Sequence, residues 1–107
     1  MSEIPTFEFL ASELAEKIKN LGNIGLTMRF VFDGHGSVFI DARRDQPTLE
    51  VNRQGDADFI VTAPLEVWLQ LRAKKIQPHV AAMTGKLKFK GNMLKGLAAA
   101  PKIMTVI

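Results

Sequence analysis

Eleven carboxylates, two histidines and three serines are the side chains here that can trade protons, attack a carbonyl or hold a cation. General acid/base work needs two titratable groups converging on one reacting atom, and nucleophilic catalysis needs a hydroxyl or thiol beside a base. Cysteine is absent, which excludes disulfides, thiolate nucleophiles and thiolate metal sites. His35 stands in a glycine turn and His79 follows a proline, far from each other in sequence, so neither completes a nucleophile–base pair or a zinc set. Ser2, Ser12 and Ser37 lie outside any G-x-S-x-G elbow. Asp41, Asp45, Glu50, Asp56 and Asp58 lack the spacing of a calcium loop and are expected on the solvent faces of strands and in turns. The residues therefore predict no catalytic group, no metal site and no enzyme.

Anion chemistry is the next possibility, raised by "MTGKLKFKGNMLKG" at residues 83–96. A phosphate-cradling P-loop requires G-x-x-x-x-G-K-[ST], whereas Leu87 follows Gly85-Lys86 here. Residues 1–54 carry six basic and eight acidic side chains, residues 55–107 carry eight and three, and no acidic side chain follows Glu66. Such asymmetry points the C-terminal half at something anionic. Nucleic acid is not the expected partner, because the cations are nearly all lysine, while base edges and phosphates favour the arginine fork. Lys86, Lys88 and Lys90 alternate with Leu87 and Phe89 and keep two readings open. They guard an edge strand against aggregation, or they meet an anionic headgroup or membrane surface.

The elements that must position these residues follow from periodicity. Phe7, Leu10, Ala11, Leu14, Ile18 and Leu21 fall on one face of a helix, with Thr6 as N-cap and Gly22 as its stop. "GLTMRFVF" alternates Leu26, Met28, Phe30 and Phe32 against Thr27, Arg29 and Val31, a half-buried strand, and "DGHG" turns it into "SVFIDAR". "TLEVN" and "DADFIVT", separated by "RQGD", complete a four-strand meander. After Pro64 the period becomes helical, with Leu65, Trp68, Leu69 and Arg72 on one stripe. Pro78 opens a short helix ending at Gly85, "KLKFK" is a fifth strand, and Asn92 caps a helix that Pro101 ends or kinks.

No repeat or linker divides the chain, so residues 1–107 are expected to form one domain able to bury roughly two-thirds of its unfolded surface. No apolar run reaches the ~18 residues of a membrane span. The N-terminus, with two glutamates and no basic stretch, does not resemble a secretory signal, so the expected location is cytoplasmic. Four of the five methionines, at positions 28, 83, 93 and 104, belong to apolar faces, and methionine suits either ordinary core or a surface for variable apolar partners.

"DADFIVTAPLEVWLQL" followed by "AAMTGKLKFKGNM" resembles the sterol carrier protein-2 (SCP2) family, and the opening helix and "FDGHGSVFIDAR" hairpin fit it as well. The resemblance implies an α/β (α+β) fold: a five-stranded, mostly antiparallel sheet covered on one face by helices, enclosing an apolar tunnel. The implied ligand is a fatty acid, fatty acyl-CoA or sterol-like lipid, held by a non-catalytic lipid-binding or transfer protein without a cofactor. On that reading Trp68, Leu69, Met83, Phe89, Met93, Leu97 and Met104 are the candidate lining, and Lys86, Lys88 and Lys90 the candidate contact with an anionic headgroup or membrane. The chain is expected to depart from the family pattern in its "TVI" end, read as no peroxisomal signal, in having no attached thiolase or dehydrogenase domain, and at Gly96 and Pro101 within the last helix. The alternative is an accessory module of the same fold with a filled core, supporting a lipid-pathway enzyme.

Overall fold

A computed structural model describes residues 6–106. Period-two alternation sets its sheet. Strand β1 (Leu26–Asp33) buries Leu26, Met28, Phe30 and Phe32, and β2 (Gly36–Ala42) pairs with it antiparallel from Leu26↔Ala42 to Phe32↔Gly36. β3 (Thr48–Val51) continues the meander along β2. β4 (Phe59–Pro64) then departs from it, lying parallel to β1 on the other side, and β5 (Lys88–Gly91) pairs antiparallel with β4. The spatial order is β3-β2-β1-β4-β5.

The expected four-strand meander thus stops at β3, and the reason is burial. β3 is short and mostly exposed, whereas Phe59, Val61 and Ala63 are buried beside Met28, Phe30 and Phe32, their Cα partners on β1. A parallel pair needs a crossover. Residues 52–58 supply it across the helix-free face, where the Arg29 guanidinium donates to the carbonyls of Arg53 and Gly55. Asp58, expected on a solvent face, is instead half-buried at the end of this crossover. Its carboxylate accepts from the Thr27 backbone N–H at 3.0 Å while the Thr27 hydroxyl accepts from the Asp58 N–H at 2.9 Å, fixing the register of the central pair.

The helices cover the other face. α1 (Phe7–Lys17), capped by the Thr6 hydroxyl accepting from Phe9 N–H, continues as a 3-10 turn over Ile18–Asn20 and buries all six apolar residues of its expected stripe. The Phe7 and Phe32 rings meet edge to face at 5.1 Å. α2 (Leu65–Arg72) buries Trp68 of its expected stripe together with Val67 and Leu71, while Leu65, Leu69 and Arg72 of that stripe are only partly buried. Two polar groups set its rotation. The indole Nε1–H of Trp68 donates to the carbonyls of Val31 and Ala63, with the ring stacked on Phe30 and Phe32, and Arg72 turns aside to a bidentate pair with Glu13 on α1.

α3 (Pro78–Met83) and α4 (Met93–Ile103) close the far end. Pro101 does not end α4 but sits within it. Its ring lies in solvent, and the lost bond to the Leu97 carbonyl is a single one near the helix end, beyond which Met104 N–H reaches the Ala100 carbonyl at 2.9 Å.

Candidate functional site: an apolar cleft at the β4–β5 end

The cleft follows from how residues 81–96 turn. After α3, the backbone N–H groups of Lys86 and Leu87 both donate to the Ala81 carbonyl, which folds Leu87 into the core at 4% exposure and delays β5 until Lys88. Alternation within β5 then directs Phe89 to the helical face, on Val61, while Lys88 and Lys90 lie opposite Thr62 and Ile60 on the other face. Gly91 has φ +99°, a region L side chains avoid, and a Cβ there would run into the Asp58 carbonyl. That same carbonyl accepts from Asn92 N–H at 2.6 Å, and the Asn92 side chain accepts from Lys95 N–H to start α4.

Between these elements lies a cleft of about 310 Å³. Phe59, Val61 and Phe89 contribute from the sheet, with the Phe59 and Phe89 rings stacked 5.6 Å apart. Pro78, His79, Ala82 and Met83 come from α3, and Met93, Leu97 and Ala100 on α4 recur at helical spacing with Met104 at its C-cap. Met83 is 83% and Leu97 64% exposed, so the mouth opens to solvent. Among the described residues His79 is the one polar side chain in the lining.

Chemically, such a lining suits the uptake of apolar matter. Among the described residues, the two carboxylates held below their ordinary range lie outside the cleft. The hydrogen bond from Arg43 brings Asp41 down to about 2, and that from Arg72 lowers Glu13, in each case against the opposing effect of burial. Among the described residues no group of three or more His, Asp or Glu side chains converges on a point, and no helix is long and apolar enough to cross a membrane.

Met83, Phe89, Met93, Leu97 and Met104 from the sequence-based lining meet in the cleft. Trp68 and Leu69 do not: α2 packs over the centre of the sheet, where Trp68 is core and Leu69 rests against it. Lys86, Lys88 and Lys90 are exposed and none lines the cleft. Phe59, Val61, Ala82 and Ala100 were not singled out from sequence, and His79 was weighed there only as a catalytic or zinc-binding group. The first two carried a usable signal, the alternation of β4, and Ala100 continues the spacing of Met93 and Leu97.

A family model described as the SCP-2 sterol transfer family matches residues 8–101. No curated protein sequence matches the chain. Among solved structures, a variant of the sec-alkyl sulfatase PisA1, an enzyme of Pseudomonas sp., superposes with a TM-score of 0.71 at 20% identity over 90% of this chain. This chain spans only 16% of that sulfatase. Apo sterol carrier protein 2 from Yarrowia lipolytica matches at TM-score 0.56 and 28% identity, over 89% of this chain and 75% of its own. Palmitated SCP2L2 from Aedes aegypti matches at TM-score 0.69 and 16% identity, over 94% of both chains.

Proposed function

The chain belongs to the SCP-2 sterol transfer family, and from that premise we propose that it is a non-catalytic carrier holding the apolar part of a lipid in the cleft between α3, α4 and the β4–β5 edge. The single observation that carries this reading is the cleft itself, about 310 Å³ with His79 as the one polar side chain in its described lining. That volume stands at the lower end of the roughly 300–1,000 Å³ of small-molecule pockets. An acyl chain burying about ten methylenes at ~0.8 kcal/mol each gains roughly 8 kcal/mol before losses of freedom, so useful affinity needs no specific polar contact. A fatty acid, fatty acyl-CoA or sterol-like ligand satisfies that chemistry, and the likeness to a palmitated domain supports an acyl chain first. Closure of the open cleft into a tunnel by movement of α3 against α4 belongs to the same proposal. The lysine-rich C-terminal half supplies attraction to an anionic headgroup or membrane. Native mass spectrometry and organic extraction of freshly purified protein test the reading: co-purifying lipid is the expected result, and its absence together with failure to bind a fluorescent fatty acid sinks it.

A second reading, an accessory module within a larger enzyme system, is favoured by one observation: the sulfatase whose fold this chain matches is about six times its length. That reading expects a filled core, so freshly purified protein carries no lipid.

A further inference from the structure

Helix α4 exposes more apolar surface than packing and cleft together require. Gly96, Ala99 and Ile103 are buried, and Met93, Leu97 and Ala100 line the cleft. A third face remains, made of Leu94, Ala98 and Pro101, all exposed, Leu94 at 83%. No described residue covers it, and across the cleft mouth Met83 is equally bare. Contiguous exposed aliphatic side chains of this kind mark an interaction surface.

Charge says what the surface fits. Lys95 and Lys102 run along one flank of this face, Lys86 follows shortly after Met83, and no acidic side chain occurs beyond Glu66. Lys95 lies 3.9 Å from the Asp58 carboxylate yet is half exposed. Aliphatic tips bordered by lysines, with Asp58 beside Lys95 offsetting part of that charge and Lys102 carrying the rest, suit a helix lying in a lipid interface, tips below the headgroups and ammonium groups at the phosphates. A second copy of the chain would bring the same lysines against one another. We propose that the outer face of α4, with the Met83 rim, is the seat on which this protein rests on an anionic bilayer, so that the cleft mouth opens directly onto the lipid it takes up. This deepens the carrier reading and rests on it for its purpose. Lys88 and Lys90, on the opposite side of the sheet, are not part of the seat.

The test is co-sedimentation of the full chain with phosphatidylcholine vesicles with and without phosphatidylserine, beside titration of a fluorescent fatty acid in the absence of vesicles. The wild type is expected to bind the anionic vesicles and to be released by salt. Leu94→Asp should lower that binding about tenfold by removing an inserted aliphatic side chain. Lys102→Glu should do so by about tenfold through reversed charge. The double variant Lys88→Glu/Lys90→Glu, with the larger change in net charge, should change it less than about twofold if only the seat contacts the membrane. Circular dichroism confirms folding of each variant. An equal or greater loss in the double variant overturns the proposal, as does normal vesicle binding by Leu94→Asp, or a wild type that self-associates through this face and ignores vesicles. Leu94 is outside the cleft lining, so Leu94→Asp keeps fatty-acid affinity. A wild type that binds vesicles but no fatty acid separates the cases, because the carrier reading then fails while the seat stands.

Discussion

A methyl group on Gly96 would overlap the ring of Phe59, so α4 and β4 meet at a point where only glycine fits. Gly96→Ala gains helix propensity, roughly 1 kcal/mol, but must push α4 off the sheet or turn the ring out of its stack with Phe89. Overpacking of this kind costs roughly 1–3 kcal/mol. The expected outcome is no stabilisation in thermal melts and a weakened fatty-acid affinity, because the displaced ring is part of the cleft. A stabilised variant with unchanged affinity would show that the contact is slack.

Filling the cleft should stabilise the fold. Ligand at about a hundred times its Kd adds roughly 2.7 kcal/mol, a rise in Tm of roughly 10 °C or more for a domain of this size. Phe89→Ala removes a third of the sheet's contribution to the lining and should raise the Kd for a fatty acid about tenfold. Differential scanning calorimetry of delipidated and loaded protein reads the first effect and fluorescent titration the second.

Trp68 is the only tryptophan, 5% exposed, locked to two carbonyls and outside the cleft. Its emission maximum should therefore stay in place on fatty-acid uptake and move to the red only on unfolding. A shift on ligand addition would place the acyl chain beneath α2.

The Glu13 carboxylate and the Arg72 guanidinium form a bidentate pair between α1 and α2, at 2.6 and 2.9 Å. The hydrogen bond from Arg72 holds the Glu13 carboxyl below its ordinary 4.5. The unfolded chain thus takes up a proton before the folded one does, and the pair's stabilisation, complete above pH 4.5, is lost as pH falls through the lowered folded value. Asp41, brought to about 2 by Arg43, adds a loss between its ordinary 3.8 and that value. Glu13→Gln should lower Tm near neutral pH and flatten its decline below pH 4.5, as followed by circular dichroism melts; an unchanged slope would mean that the pair persists in the unfolded chain.

Much of this fold was legible because burial imposes a period. The stripe of α1, the strand through Leu26–Phe32 and the inward turn of Phe89 all follow from alternation or helical spacing. The position of β4 was not legible, since hydrophobic pattern sets which face of a strand is buried but not which neighbour it takes, and the Thr27–Asp58 exchange that fixes the neighbour looks in sequence like two ordinary polar residues. α2 was legible in part: Trp68 is buried as its stripe requires, but the Arg72 guanidinium took a partner on α1, and Val67 and Leu71 fill the core while Leu65 and Leu69 stay partly buried against it. In the cleft, methionines on α3 and α4 were visible as apolar residues, while Trp68 and Leu69, equally apolar, proved to belong to the core.

The parallel alignment of β4 on β1 also bears on the order in which the molecule assembles. Hairpin β1–β2 and strand β3 are made from neighbours in the chain, but Thr27 and Asp58 are 31 residues apart, and β5 and α4 can dock only after that long loop has closed. The cleft is thus walled in part by the periphery of the sheet: β5 is a four-residue edge strand paired only with β4. Amide hydrogens of β5 and α4 should exchange with deuterium through local openings that leave β1, β2 and α1 intact. A cargo too large for the resting cleft can then enter by such an opening, at a small fraction of the cost of unfolding the domain.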